Sequence, residues 1–205
     1  MTLVYNIGYH LSKLIAATLF RYHVVHPERM IETGGLILAV NHTSYFDPPL
    51  AGICSQRDVY FLARKNLLKW PLLGPLFPDM NVIPVDRGGA DMTALKTIIR
   101  KIREGNGVLL FPEGTRSKTG DLQSAQPGLG LIIAKTLCPV LPMRIFGASN
   151  AFPRGARLPR PTRITTVIGE PLHFTEEETL PASKETYSRI SQRVMDAIGA
   201  LRMEA

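Results

Sequence analysis

Apolar residues recur along this chain with two different periods, and segments of the two kinds alternate. Short runs that are almost entirely apolar predict buried strands, and they occupy residues 22–26, 36–40, 59–63, 81–87, 108–111, 140–146 and 164–168. Segments with apolar residues at helical spacing predict amphipathic helices, and they occupy residues 2–21, 48–55, 90–104, 128–137 and 184–202. The alternation predicts an α/β fold with a mixed, largely parallel central sheet flanked by helices.

The first predicted helix, residues 2–21, has a wide apolar face, and its only charged residues are Lys13 and Arg21. Such a helix either covers the domain core or lies in a membrane interface with its basic residues near the headgroups. We favour the second interpretation, which divides the chain into an amphipathic membrane-associating helix at 1–21 and a domain at 22–205. No uninterrupted apolar run reaches the ~18 residues that a membrane-spanning helix needs.

The stretch that follows strand 36–40 contains the first candidate chemistry, His42 and Asp47. A histidine suits proton transfer near neutral pH, and a carboxylate can hold its ring in one tautomer and support the charged form. The alternative is structural. Asp47 before Pro48 is typical of a helix N-cap, and Ser44 together with Asp47 fits a capping box.

Polar residues also follow two other predicted strands, and carboxyl ends of strands are where open α/β sheets bind ligands. Arg87 ends one strand, and Glu113, Gly114, Thr115 and Arg116 follow another. Arginine presents a planar fork suited to phosphate oxygens, while glycine permits a close approach of a ligand to the backbone. The structural alternatives are a solvated charge pair at Arg87 and a surface ion pair between Glu113 and Arg116, which would contribute little.

The chain of 205 residues carries a net charge of +7, which favours an anionic partner such as a lipid surface or a phosphorylated substrate. Nucleic acid is disfavoured, because the basic residues are dispersed and are not interleaved with stacking aromatics. The proline- and arginine-rich segment 153–163 is either a solvated connector or a basic rim that faces anionic lipid. Cys54 and Cys138 lie in apolar surroundings, so we expect buried, reduced thiols.

Four motifs occur in a fixed order across residues 36–147. They are NHTSYFD with His42 and Asp47, VIPVDR ending in Arg87, FPEGTRS from Phe111 to Ser117, and VLPM with Pro142. In these motifs the sequence resembles the PlsC-type glycerolipid acyltransferase family, typified by 1-acylglycerol-3-phosphate acyltransferase.

The resemblance implies transfer of an acyl chain from a thioester to the free hydroxyl of a lysophospholipid. The acceptor that it favours is 1-acylglycerol-3-phosphate, and the product is then phosphatidic acid. It implies that His42 is the general base and that Asp47 orients it. The substrate-binding set that it implies consists of Arg87, Glu113, Gly114, Thr115, Arg116 and Pro142. Within that set the arginines would bind the acceptor phosphate, a Gly114 amide would hold the acceptor or the oxyanion, and Pro142 would shape the acyl-donor side.

The same resemblance implies which molecules the protein meets. Acyl-CoA or acyl-carrier protein would be the co-substrate, and no metal or further cofactor is expected. The other expected partners are the lysophospholipid and an anionic membrane surface, with the protein peripheral and monotopic on the cytoplasmic face. Three alternatives stay open: a lysolipid with another head group, a thioester hydrolase, and a non-catalytic anionic-lipid binder. Against the hydrolase, the sequence contains no Gly-x-Ser-x-Gly nucleophile elbow.

The chain departs from the family pattern at one point. A lysine, or an aromatic–lysine pair, often precedes the glycine that is here Gly128, whereas this chain has Ala125, Gln126 and Pro127. A cationic contact with the substrate is therefore not expected at Gln126.

Overall fold

The structure is a computed structural model that describes residues 2–71, 74–86, 91–153 and 156–203. The strands are β1 (His23–Val25), β2 (Leu36–Val40), β3 (Val59–Arg64), β4 (Val82–Val85), β5 (Gly107–Leu110), β6 (Val140–Phe146) and β7 (Thr165–Ile168). The helices are α1 (Leu3–Leu19), α2 (Asp47–Gly52), α3 (Met92–Arg103), α4 (Pro127–Thr136), α5 (Ala148–Ala151) and α6 (Lys184–Ala200). Short 3-10 helices occupy Pro27–Arg29, Lys65–Lys69, Gly74–Met80 and Glu177–Thr179.

The seven strands form one sheet in the order β1-β7-β6-β2-β5-β3-β4. Neighbouring strands from β6 to β4 run parallel, whereas β7 is antiparallel to β6 and pairs in parallel with β1. The predicted mixed, largely parallel sheet is therefore confirmed. β2 lies between β6 and β5, so the segments that follow β2 and β5 leave the same edge of the sheet side by side.

Helices cover both faces of the sheet, which explains why its strands are apolar runs without polar alternation. In β2, Ile37 and Ala39 face a core that includes residues of α3, α4 and α6. Leu36, Leu38 and Val40 face the opposite core, which includes residues of α1, α2 and α5.

Three helices begin at polar N-caps whose side chains accept hydrogen bonds from backbone N–H groups of the first turn. These caps are Thr2 for α1, Asp91 for α3 and Ser183 for α6. In α2, by contrast, Phe46 is the cap residue and makes no side-chain capping bond. The interpretation of Asp47 as an N-cap is therefore wrong, since Asp47 is the first residue of the helix.

The predicted elements differ from the observed ones mainly at their ends. The segment 71–78, for which a short helix or an irregular lid was predicted, contributes to the 3-10 helix Gly74–Met80. Helix α5 was not predicted, and the short helix predicted at 48–55 ends three residues earlier, at Gly52. Arg87 and the predicted start of the helix at Ala90 lie outside the described residues.

Helix α1 has two apolar sides with different environments. Tyr5, Ala16 and Phe20 are buried on one side, where the Tyr5 hydroxyl accepts a hydrogen bond from the Val59 N–H at 3.0 Å. This burial raises the pKa of Tyr5 to about 12. At 3.6 residues per turn the opposite side carries a continuous stripe of exposed side chains. They are Leu3, Ile7, Leu11 and Leu14.

The stripe and the buried side together mean that α1 belongs to the core and also presents an apolar surface. Within the described ranges, no helix combines the length and apolarity needed to cross a membrane. The division of the chain at residue 21 stays a prediction.

Both cysteines are free thiols. Burial raises the pKa of the Cys54 thiol to about 12 and also raises that of Cys138. The Sγ atom of Cys54 lies 3.1 Å from the Tyr22 hydroxyl oxygen. Both thiols are therefore poor nucleophiles near neutral pH.

Candidate active site

The segment after β2 is fixed to the neighbouring strand by Asn41, which is buried. Its amide nitrogen donates to the Ile145 carbonyl at 3.1 Å, and its amide oxygen accepts from the Ile145 N–H at 2.7 Å. Because both bonds go to one residue of β6, they fix the direction of the backbone at the next residue, His42.

The His42 ring contacts the Asp47 carboxylate, with Nδ1 and Oδ2 separated by 2.9 Å. The same Oδ2 accepts the backbone N–H groups of Thr43 at 2.6 Å and Ser44 at 2.7 Å. When Asp47 is ionised its carboxylate only accepts hydrogen bonds, so Nδ1 is the donor in this pair, and in the neutral ring the lone pair is then on Nε2. Asp47 thus folds the loop around itself and leaves Nε2 as the basic atom of the histidine.

Only one of the two hydrogen bonds of a capping box forms between Ser44 and Asp47. The Ser44 N–H donates to the Asp47 side chain, but the Ser44 hydroxyl accepts from the Phe46 N–H at 3.3 Å. The bonds of the Asp47 carboxylate go backwards to the loop, whereas an N-cap would bind the first turn of its own helix. The local geometry therefore serves the loop that carries His42.

The face of the His42 ring rests on Phe111, the residue that follows β5. The ring centroids are 3.8 Å apart with an interplanar angle of 15°. With Asp47 at its edge and Phe111 on its face, the imidazole is held in one orientation.

Glu113 connects the segment after β5 to the backbone of His42. One carboxylate oxygen accepts the His42 N–H at 2.9 Å, and the other accepts from the side-chain amide of Gln123 at 2.8 Å. Burial raises the pKa of Glu113, although these hydrogen bonds oppose the shift. A second connection runs from the Ser117 N–H to the His42 carbonyl at 2.8 Å. The predicted acceptor-binding role of Glu113 stays a prediction, while its observed contacts position the histidine.

Gly114 adopts a left-handed conformation with φ of +70°, and a Cβ there would lie 3.1 Å from Cγ of Gln126. Its N–H donates to the Phe111 carbonyl at 2.9 Å. The amide predicted to hold an acceptor or an oxyanion is therefore engaged in a turn. The glycine is required by the sharp reversal of the backbone before Arg116.

Arg116 lies beside the loop that carries His42. Its guanidinium carbon is 3.5 Å from the centroid of the Tyr45 ring, and its carbonyl accepts from the Thr115 hydroxyl at 3.3 Å. Arg116 is half-buried and Thr115 is exposed. A cation is thus placed against the loop that carries the candidate base.

Another predicted substrate-binding residue, Pro142, is not part of this cluster. Pro142 lies inside β6, in register with Ala39, and its carbonyl accepts from the Gly169 N–H at 2.8 Å. About 10 Å of strand separates that level from His42, at roughly 3.3 Å per residue. Arg87 lies outside the described residues. The roles of Pro142 and Arg87 stay predictions.

Asn41, Phe111 as a ring support, Gln123 and Tyr45 were not predicted from the sequence. Asn41 carried a usable signal, since it is a polar residue directly after an apolar strand and before a histidine. Among the described residues, His, Cys, Asp and Glu side chains do not gather in groups of three or more that suit a metal ion.

Comparison with known proteins adds a family match. A family model described as Acyltransferase matches residues 21–146. The 1-acyl-sn-glycerol-3-phosphate acyltransferase of Bacillus subtilis (strain 168) is 27% identical over 179 residues, which are 87% of this chain and 86% of that protein. The enzyme of the same name from Cocos nucifera is 31% identical over 145 residues, which are 69% of this chain but only 47% of its own length.

A solved structure also resembles this chain. The 1-acyl-sn-glycerophosphate (LPA) acyltransferase PlsC from Thermotoga maritima aligns with a TM-score of 0.74 and 26% sequence identity, covering 97% of this chain and 81% of that chain. The similarity therefore extends over the sheet, its helices and α1.

Proposed function

The chain belongs to the acyltransferase family, and we propose that it transfers an acyl chain from an acyl thioester to the free hydroxyl of 1-acylglycerol-3-phosphate. The observation that carries this proposal is the 2.9 Å contact between His42 Nδ1 and the buried Asp47 carboxylate. It leaves an oriented, basic Nε2 at the carboxyl edge of the sheet. The names of the relatives from Bacillus subtilis and Cocos nucifera support the choice of acceptor.

The reaction follows from what Nε2 can do. It accepts the proton of the acceptor hydroxyl as that oxygen attacks the thioester carbonyl carbon. The Asp47 carboxylate stabilises the imidazolium that forms, because the charge develops 2.9 Å from it. When the tetrahedral intermediate collapses, the carbon–sulfur bond breaks and the thiolate leaves with the proton from His42. Ester and thiol are the products, and the histidine returns to its neutral form.

Recognition of the acceptor falls to two arginines, Arg116 and Arg87. The guanidinium of Arg116 is fixed beside the His42 loop, and a guanidinium pairs well with phosphate oxygens. We assign Arg87 to the same phosphate from the motif that it ends. The donor is acyl-CoA or acyl-carrier protein, since both present the same thioester group to the base.

The membrane is the second partner in this proposal. The four exposed apolar side chains of α1 (Leu3, Ile7, Leu11 and Leu14) form a stripe that suits the acyl boundary of a bilayer. The net charge of +7 favours an anionic surface. We infer a peripheral, monotopic protein on the cytoplasmic face, where lysolipid and thioester meet.

One assay tests the reaction. Thiol release from palmitoyl-CoA is followed with and without 1-acylglycerol-3-phosphate, and phosphatidic acid is quantified by mass spectrometry. We expect acceptor-dependent thiol release with an equal amount of phosphatidic acid, and loss of both in His42→Ala. Release of thiol and free fatty acid without acceptor would instead identify a hydrolase.

The remaining alternatives are distinguished by changing one substrate at a time. Acyl-carrier protein replaces CoA in the first series, and lysophosphatidylglycerol or a lyso-ornithine lipid replaces the acceptor in the second. Faster turnover with one of these acceptors would contradict the assigned head group. No thiol release with either donor, together with binding to anionic lipid, would identify a non-catalytic binder.

A further inference from the structure

Tyr45 is a large aromatic residue that the structure leaves 62% exposed, and its ring covers the guanidinium of Arg116. The separation of 3.5 Å between the guanidinium carbon and the ring centroid is that of face-on contact. Among residues 2–71, 74–86, 91–153 and 156–203, no carboxylate forms an ion pair with Arg116. Stacking on Tyr45 is therefore the contact that holds this cation.

The stacking contact leaves the guanidinium N–H groups available. A cation–π contact uses the face of the ion, whereas phosphate binding uses its N–H edge. An arginine side chain that is free in solvent samples many rotamers, and fixing it on binding opposes association. Tyr45 restricts those rotamers before the ligand arrives.

The backbone before Tyr45 is held by hydrogen bonds, and the Tyr45 ring has an aromatic neighbour. Tyr45 lies between His42 and Asp47 in the chain, and the Asp47 carboxylate that orients His42 also binds the Thr43 and Ser44 N–H groups. Its ring lies 6.2 Å from that of Phe152, which in turn lies 5.5 Å from Phe46. The loop that holds the base thus also presents a fixed aromatic surface to Arg116.

We propose that Tyr45 is a positioning residue, which holds Arg116 against the acceptor phosphate and thereby sets the spacing between that phosphate and the base at His42. The inference rests on the proposed function, because it assigns the Arg116 guanidinium to the phosphate of 1-acylglycerol-3-phosphate. It makes one loop responsible both for proton transfer and for the choice of a phosphorylated acceptor.

The test compares Tyr45→Ala, Tyr45→Leu and Tyr45→Phe in the thiol-release assay, with KM measured separately for the acceptor and for palmitoyl-CoA. We expect Tyr45→Ala and Tyr45→Leu to raise the KM for 1-acylglycerol-3-phosphate about fivefold, the effect of losing one exposed cation–π contact. The KM for palmitoyl-CoA and the melting temperature should not change. Tyr45→Phe keeps the ring and should therefore have the wild-type KM for 1-acylglycerol-3-phosphate.

A double-mutant cycle with Arg116→Gln separates the role of Tyr45 from the phosphate contact of Arg116. Tyr45→Ala should raise the acceptor KM no further once Arg116 is Gln, because the two residues act as a unit. An equal rise in both backgrounds, a similar rise for palmitoyl-CoA, or a Tyr45→Phe variant as impaired as Tyr45→Ala would overturn the role of Tyr45. An unchanged acceptor KM in Arg116→Gln would instead contradict the phosphate contact of the proposed function.

Discussion

His42 is held by three contacts of different kinds. Asp47 binds the edge of the ring, Phe111 supports its face, and Glu113 accepts its backbone N–H. These partners come from the segments that follow β2 and β5, so the fold itself determines the orientation of the ring. In the proposed reaction, a base positioned in this way would need little reorganisation when the acceptor binds.

We expect His42→Ala to lower kcat by about 10²-fold or more, the usual effect of losing a general base. The thermal melt should stay close to that of the wild type, because the connections made by Glu113 and Ser117 involve the backbone of residue 42. Steady-state kinetics on the folded variant measure the effect. Wild-type turnover would remove His42 from the mechanism.

Asp47→Asn separates the folding of the loop from the support of the charged ring. An amide oxygen in place of Oδ2 can still accept the Thr43 and Ser44 N–H groups, so the melt should change little. The neutral amide no longer stabilises the imidazolium. We expect kcat to fall at least about tenfold, and an unchanged kcat would mean that Asp47 serves only the loop.

Glu113→Gln tests whether this residue needs its charge. Burial raises the pKa of Glu113, so the ionised carboxylate lowers the stability of the folded protein at neutral pH. This cost is absent below the usual carboxyl pKa and develops as the pH rises through the folded-state pKa.

At pH 7 we therefore expect Glu113→Gln to melt at the wild-type temperature or up to a few degrees higher. The difference should shrink as the pH is lowered below the usual carboxyl range. The glutamine oxygen can accept the His42 N–H, and Gln123 can turn its amide to meet the new side chain. A large drop in melting temperature, measured by calorimetry across this pH series, would contradict the prediction.

At this scale the sequence predicted the pairing of His42 with Asp47 but not the contacts that support it. His42 and Asp47 are close in the chain, and their chemistry is visible in the residue types. Phe111 and Gln123 are distant in the chain and contact the site only because β2 and β5 are neighbours. Phe111 reads as one more apolar strand residue, and its stacking on His42 has no signal in the local pattern.

Helix α1 illustrates how an element can have two roles. Its periodicity predicts a broad apolar face but does not say which part of that face is covered. The structure buries Tyr5, Ala16 and Phe20 and exposes a stripe that includes Ile7 and Leu11. Removing the whole helix would therefore expose core surface as well as the stripe, so single substitutions test the two sides better.

We expect Ile7→Asp and Leu11→Asp to leave the melt nearly unchanged and to weaken co-sedimentation with liposomes by about tenfold each. The loss reflects about 1.5 kcal/mol of apolar burial per side chain, together with the desolvation of a carboxylate. Phe20→Ala is the matched control on the buried side, where a cavity should cost about 3–5 kcal/mol of stability. Liposome binding that survives both aspartate variants would remove the stripe from the proposal.

Element boundaries were predicted to within a few residues where an apolar run or a polar cap marks the end. β2 and β6 have the predicted bounds, and α6 begins at Lys184 as predicted. α5 was missed because its four residues are too short for a helical period. The alternative interpretation of Asp47 as an N-cap was wrong, because a carboxylate before Pro48 has the composition of a cap, whereas its bonds to Thr43 and Ser44 appear only in three dimensions.

At the molecular scale, the order of strands explains why the motifs after β2 and β5 meet. β2 and β5 are neighbours in the sheet, so their following segments meet, whereas β4 lies two strands beyond β5. The alternation of elements predicted a largely parallel sheet, but alternation alone does not fix which strands are adjacent. The family match confirms the resemblance that the four motifs carry.

The last prediction concerns the charge of the whole molecule and how it is oriented towards a membrane. α1 packs on one face of the sheet and α6 on the other, so exposed Lys13 shares its helix with the apolar stripe, whereas exposed Lys184 belongs to the helix on the opposite face. A basic residue at an anionic surface contributes about 1 kcal/mol. Lys13→Gln should therefore weaken binding to anionic vesicles about fivefold, and Lys184→Gln should have no effect.

The measurement is co-sedimentation with vesicles of neutral lipid alone and of neutral lipid mixed with an anionic lipid, each at low and high salt. The effect of Lys13→Gln should disappear on neutral vesicles and fade at high salt, because screening removes interactions between exposed charges. The apolar contribution of Ile7 should persist in both conditions, since it does not depend on charge. Equal losses for the two lysine variants would mean that net charge acts without orientation, and would contradict docking through the α1 face.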